Sequence, residues 1–207
     1  MTAPHHLISP EQYLDFEVHA ETRHEYVDGV VYAMSGGSSA HSRIAVNLVG
    51  ALYNALRGRP CDTFNGDMRV RIGPRSAYVY PDASGLCGTP EIEYFDRAEN
   101  LLNPSFVVEV LSPSTESYDW GKKFALYRRI PTLREYVLIA QDRVHAERYT
   151  PGDDRAAAWD REDADGPDAR VALPSVGAVL RLGDLYERVA LPARPRRVRE
   201  PAPAESW

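Results

Sequence analysis

The sequence holds only two cysteines, Cys61 and Cys87, among 207 residues. That is too few for a disulfide framework, and they stand too far apart for a Cys-x-x-Cys redox or zinc signature. They read as two free thiols of a reducing cytoplasm. No apolar run approaches the roughly 20 residues that cross a bilayer, and "MTAPHHLISP" has neither a basic nor an apolar leader region. A soluble, cytoplasmic protein with no membrane partner is the expectation. Basic charge is also in short supply: 24 Lys and Arg against 30 Asp and Glu leave a net charge of -6. Non-specific affinity for nucleic acid comes mainly from cations that displace counterions, so any such contact must be local. "SGGSSAHS" lacks the Gly-Lys-Ser/Thr ending of a phosphate loop and reads as a connector, and no Gly-x-Ser-x-Gly elbow supports a serine hydrolase.

What is present describes one domain, 1–190, followed by a Pro- and Arg-rich tail, 191–207, patterned for disorder. "SPEQ" sets a helix start, with Ser9 as N-cap, Pro10 at the first position and Gln12 closing a capping box; this helix should run to about Thr22. "HEYVDGVVYAM" places Asp28-Gly29 between two β-branched and aromatic runs, a hairpin signal. Ile44, Leu48, Leu52 and Leu56 recur at helical spacing up to Gly58, predicting a long amphipathic helix. "GDMRVRIG" alternates, so it should be a strand with Arg69 and Arg71 on a wet, basic face. "AYVYPDASG" is a short strand stopping at Pro81-Asp82. "FVVEVL" is another, and a helix from about Tyr118 to Arg129 leads to two more, "LREYVLIA" and "RVHAERYT". The charged, Gly- and Pro-bearing stretch 151–170 reads as an exposed loop, and "VALPSVGAVLRLGDLYERV" as a strand with a short helix. This order is that of an α/β protein, a mixed sheet flanked by helices.

The chemistry is concentrated around Glu109. A carboxylate inside Phe106-Val107-Val108 and Val110-Leu111 costs several kcal/mol if unpaired, so it needs a partner. Asp82 at the end of a neighbouring strand would bring a second carboxylate, and hard cations such as magnesium take oxygen ligands of this kind. Asp119, Lys123 and Tyr127, at i, i+4 and i+8, drift only about 40° per step and share a helix face. Lys123 can then point an ammonium at the carboxylates to orient a water and offset charge on a phosphate. The same spacing also fits an ordinary surface ion pair worth about 0.2–0.5 kcal/mol. Lys122 lies about 100° round the helix from Lys123. His41 has no spacing that argues for a metal.

"RHEYVDGVVYAM", "YPDAS", "FVVEVLSPST" and "YDWGKKFALYRRIPTLREYVLI" together resemble the Uma-two family of restriction endonucleases, a branch of the PD-(D/E)XK nucleases. The resemblance runs from about residue 10 to 149, with "LRLGDLY" also familiar. It implies a restriction-endonuclease-like core and a divalent-metal-dependent endonuclease acting on nucleic acid, DNA before RNA. Asp82 and Glu109, with the backbone carbonyl of Val110, would hold Mg2+, with Mn2+ as a substitute. Leu111 stands where the superfamily's Glu-x-Lys strand has its lysine, and Lys123 matches the migrated lysine of this branch. Glu25 joins the site as a further acid. The catalytic set is thus Glu25, Asp82, Glu109 and Lys123, with Arg69, Arg71, Lys122 and Tyr127 as nucleic-acid contacts. A homodimer would suit an enzyme that cuts both strands. The rival is a binding module on the same fold that has lost turnover, kept open by Leu111; a weaker third reading makes Glu109 purely structural.

Overall fold

In a computed structural model, residues 7–34, 36–112, 116–154 and 158–192 are described. The tail expected to be disordered lies outside them from residue 193 onward. Helix α1 (Pro10–His19) begins as its sequence requires, with Ser9 and Gln12 exchanging both capping-box hydrogen bonds. It ends three residues short of the expected Thr22. Strands β1 (His24–Val27) and β2 (Val30–Ala33) form the hairpin. Asp28 and Gly29 take φ of 48° and 91°, the two positive values that a tight hairpin turn demands. Helix α2 (Ser39–Leu56) buries Ile44, Leu48, Leu52 and Leu56 along one face.

The strands then divide between two sheets. Strands β3 (Cys61–Asn65), β4 (Arg69–Ile72), β5 (Ala77–Val79), β6 (Ala83–Cys87), β7 (Ile92–Phe95), β8 (Ala98–Leu101) and β9 (Phe106–Val110) come first. Next is a helical segment made of α3 (Glu116–Tyr118), a π-helical turn (Asp119–Lys123) and α4 (Phe124–Tyr127). β10 (Glu135–Ile139), β11 (His145–Pro151), β12 (Trp159–Asp165), β13 (Arg170–Leu173), β14 (Ala178–Arg181) and α5 (Leu182–Leu185) complete the chain. One mixed sheet runs β2-β1-β5-β4-β8-β7 and the other β12-β11-β10-β9-β6-β3, with β13-β14 as a separate hairpin. The mixed α/β architecture is present, and it comprises two six-stranded sheets. No described helix is long and apolar enough to cross a membrane.

The parallel pair β9-β10 decides where the helical segment goes. Parallel neighbours need a crossover, and the segment from α3 to α4 supplies it, lying over one face of the sheet. Side chains alternate along β9. Phe106, Val108 and Val110 therefore pack with α2, whereas Val107 and Leu111 pack with Leu126 and Tyr127 of the crossover. Glu109 shares the parity of Val107 and Leu111. Its carboxylate is thus directed to the helix that carries Lys123.

Three expectations need correction. Cys61 and Cys87 are disulfide-bonded, not free thiols. They face each other in the antiparallel β3-β6 register, a pairing that their separation in sequence does not reveal. Nearby, Gly85 has no room for a side chain: a Cβ would meet the Asp62 carbonyl at 2.3 Å and the Phe106 ring at 2.6 Å. Arg69 does not lie on a wet face but is 2% exposed. Its Nε donates to Asn100 at 2.6 Å, its guanidinium to the Tyr13 hydroxyl, and it stacks over Tyr13, Tyr78 and Tyr80. Alternation reports one apolar side only; here the other side is closed by an aromatic cluster. Within 151–170, β12 pairs with β11 along seven residues, so that stretch is not simply a loop. Its charged side chains, such as Glu162 paired with Arg148, sit on a solvated strand and leave no apolar period to read.

Candidate metal and nuclease site

Lys123 is the centre of the cluster. Its Nζ lies 2.9 Å from Glu25 Oε1, 2.9 Å from Glu109 Oε1 and 3.8 Å from Asp119 Oδ1. All four residues are 3–5% exposed. Three elements bring them together: Glu25 comes from β1 of one sheet, Glu109 from β9 of the other, and Asp119 and Lys123 from the π turn. That turn is closed by the Phe124 amide bonding to the Asp119 carbonyl, five residues back. π turns inside helices are frequent at functional sites. The wider turn buries Asp119 and Lys123 and leaves Trp120, Gly121 and Lys122 exposed. Tyr136 of β10 anchors it, donating its hydroxyl to the Asp119 carbonyl at 3.0 Å.

Asp82 lies between β5 and β6, where the chain passes from one sheet to the other. Its Oδ2 accepts from the Val110 amide at 2.7 Å, tying the Pro-Asp bend to the end of β9. His41, in the first turn of α2, places Nε2 3.3 Å from the same Oδ2. Its ring also engages the Val110 carbonyl. These groups border a cavity of about 640 Å³ whose wall includes Gly36, Gly37 and Ser38 as well as the acids and Lys123. Ser38 caps α2 and donates to Gln141 at 2.6 Å across the cavity rim. The stretch expected to be only a connector therefore forms part of the wall.

The electrostatics of the cluster are those of an excess of acid. Burial pushes the Glu109 carboxyl well above its usual range; Lys123 opposes that, and Asp119, Asp82 and Glu25 add to it. Burial works to lower the Lys123 ammonium, but Glu109, Glu25 and Asp119 outweigh it and hold it well above its ordinary value. Lys123 is charged, and Glu25, Glu109 and Asp119 share its buried ammonium, while Asp82 adds a fourth carboxylate beside His41. The set fits a hard divalent cation: it offers carboxylate oxygens and a carbonyl, and it carries uncompensated negative charge. A second group, His145, Glu147 and Asp163, has its ligand atoms close together. There Arg161 already lies 3.1 Å from Glu147 and 2.7 Å from Asp163, so an internal cation serves those acids.

Each residue singled out in the sequence has a definite place. Glu25, Asp82, Glu109, Val110 and Lys123 all line the cavity. Lys122 is not in the lining but lies at its edge, its Nζ 3.3 Å from the hydroxyl of Tyr32, which is part of it. Tyr127 is fully buried and donates to Glu109 Oε1 at 2.9 Å, so it orients that carboxylate and cannot touch a nucleic acid. Arg69 is excluded from such contact by its burial, and Arg71 turns to Glu93 at 3.7 Å. His41 was missed because nothing in its spacing joins it to Asp82, 41 positions away. Its imidazole is pushed above the usual value, first by the hydrogen bond with Asp82, with burial opposing. A proton-resolved titration of the metal-free protein should place its midpoint above the ordinary value of about 6.5. Asp82→Asn should bring it down. The associated stabilisation is full below that ordinary value and is lost as pH rises through the elevated one. A midpoint unchanged by Asp82→Asn would contradict the contact.

The family model described as "Putative restriction endonuclease", Uma2, matches residues 10–182. The chain belongs to the Uma2 family. An uncharacterized protein of Synechocystis, slr1290, is 37% identical over 189 residues, covering 91% of this chain and 96% of the relative. A second from the same organism, sll1609, is 33% identical over 150 residues, 72% of this chain and 84% of the relative. Among solved structures, a "putative nuclease belonging to DUF820" from Anabaena variabilis superposes with a TM-score of 0.69 at 22% identity. That superposition covers 87% of this chain and 98% of the other, a likeness of fold. At family level, membership assigns the chain to the nucleases of restriction-endonuclease type, whose substrate is nucleic acid.

Proposed function

We propose that this Uma2 protein is a divalent-metal-dependent endonuclease that hydrolyses phosphodiester bonds, with DNA as its nucleic acid. The observation that carries the proposal is the convergence of Glu25, Glu109 and Asp119 on the buried Lys123, beside Asp82, which accepts from the Val110 amide. Asp82, Glu109 and the Val110 carbonyl would hold Mg2+ or Mn2+. When bound, such an ion supplies Lewis-acid activation of a water and neutralises charge on the phosphate.

The protein's own groups do the rest. Lys123 donates hydrogen bonds at the point where the attacking water must be held, and its charge opposes the build-up on the phosphoryl oxygens. Tyr127 and His41 fix the carboxylates of Glu109 and Asp82 in place. Glu25 holds the Lys123 ammonium from the opposite sheet. The N-terminal end of α2, with no acidic residue in its first turn, faces the cavity and favours an anion there. Leu111 is 6% exposed in the core, and the ammonium absent from its position is supplied next to Glu109 by Lys123. This arrangement favours turnover over a degenerate binding module.

A calorimetric titration with Mn2+ tests the reading without choosing a substrate. Wild type should bind, and Asp82→Asn and Glu109→Gln should not, while both remain folded; asparagine still accepts from the Val110 amide. Absence of binding at millimolar metal, with and without an uncleavable phosphorothioate oligonucleotide, would overturn it.

A further inference from the structure

We infer that this site accepts an unpaired nucleic-acid strand rather than an intact duplex, with Tyr32 and Tyr118 at the cavity mouth as the surfaces on which its bases stack. The inference rests on the nuclease reading and names the substrate class of that site.

Depth is the first observation. Glu25, Glu109, Asp119 and Lys123 are almost fully buried, while Asp82 and His41 keep about a fifth of their side chains exposed. A scissile phosphate must therefore descend into the cavity to meet them. At about 640 Å³ the cavity has the size of a small-molecule pocket, suited to a nucleotide and not to the side of a rod.

Charge is the second. A duplex presents one phosphate per ~1.7 Å of axis and is held by extended basic surface. The cavity lining instead carries four carboxylates, Glu25, Asp82, Glu109 and Asp119, and its basic side chains are Lys123 and His41. With Arg69 buried and Arg71 turned to Glu93, strand β4 presents no free basic face to track a duplex.

The third is what the mouth offers in place of cations. Tyr32, on the edge strand β2, is 39% exposed and Met34 beside it 37%. Across from Tyr32 stands Tyr118, the ring centroids 6.1 Å apart and the planes inclined at 38°, an open wedge and not a closed stack. Lys122 lies 5.4 Å from the Tyr32 ring centre, holding that ring in place and offering one ammonium to a phosphate alongside. Tyr118 in turn donates to Glu25 Oε2 at 3.4 Å, which links the mouth to the acidic floor. An exposed ring, Tyr32, faced by the half-buried Tyr118 and beside the Lys122 cation, is the kind of element by which proteins hold single strands without reading sequence.

The test is a fluorescence-anisotropy comparison of one labelled sequence as a single strand, as a blunt duplex, and as that duplex with a single-stranded 3′ extension. Each is read with Ca2+ for binding and with Mn2+ for cleavage. The single strand and the extended duplex should bind at least about tenfold more tightly than the blunt duplex, with cuts confined to unpaired nucleotides. Tyr32→Ala should weaken single-strand binding by about 5- to 150-fold, the range expected for loss of one base stack. Mn2+ affinity should be unchanged in that variant, and Tyr32→Phe, which keeps the ring, should restore most of the binding. Equal or better binding of the blunt duplex, or Tyr32→Ala without effect on the preference, overturns the inference and leaves the nuclease reading standing if Mn2+ still binds and cleavage occurs. Failure of every probe to bind overturns both.

Discussion

Lys123→Met is expected to destabilise the metal-free protein by about 3–5 kcal/mol, the range found when one partner of a buried ion pair is removed. Methionine approximates the shape of the lysine stem and removes only the ammonium. Glu25 and Glu109, each 2.9 Å from Nζ, would then face each other and Asp119 with no internal cation. Because these groups are 3–5% exposed, solvent screens little of the effect. Two features make the result specific. First, Mn2+ should raise the stability of the variant by more than it raises that of wild type, since the ion enters a site with no competing ammonium. Second, the penalty should shrink as pH falls. The Glu109 carboxyl already sits above its unfolded value, and loss of Lys123 raises it further. The native state then binds more protons than the unfolded one, so stability falls as pH rises. Denaturant unfolding at about pH 8 and about pH 5, with and without Mn2+, reads all three quantities, and a loss under about 1 kcal/mol at both would show that Lys123 does not neutralise the cluster.

Glu109→Gln should do nearly the reverse. Cleavage should fall by more than about 10²-fold, beyond what loss of an outer partner of a metal ligand costs. Stability should change by no more than about 1 kcal/mol. The glutamine carbonyl can still accept from Tyr127, and Lys123 keeps Glu25 and Asp119. The change also removes one member of a set of mutually repelling acids, offsetting the lost ion pair. A variant that is inactive, folded and unable to bind Mn2+ would place Glu109 at the metal. One that unfolds would support the structural reading, in which the acid exists to pair with Lys123 and nothing more.

The contrast between these two substitutions could be framed from the sequence, because the acid in the β9 run and the i, i+4, i+8 series on the following helix are both local patterns. The capping box of α1, the Asp28-Gly29 turn and the apolar stripe of α2 are local in the same sense, and each has the expected form. Spacing also put Lys122 and Lys123 on different faces, and the first lies against Tyr32 while the second lies against Glu109. It did not anticipate that the turn carrying them is π-helical, since that depends on the sheet beneath and on Tyr136 holding the Asp119 carbonyl.

Long-range pairing governs the places where the structure departs from the local sequence pattern. Cys61 meets Cys87 only because β3 pairs with β6, and Arg69 is interior only because α1 and the tyrosines cover a face that alternation left open. Strand β12 has no apolar period of its own; its partner β11 makes it a strand. His41 reaches Asp82 because α2 packs on the sheet whose β6 begins one residue after that aspartate. By itself, then, the sequence determined the type of each strongly periodic element, the family pattern and the acidic residues of the cavity, because turn chemistry, capping and side-chain parity act over a few residues. The tertiary structure decided which charges are buried, which cations remain outside and how deep the carboxylates lie. Burial is a property of what packs against a residue, and that partner is set by chain segments far away in sequence.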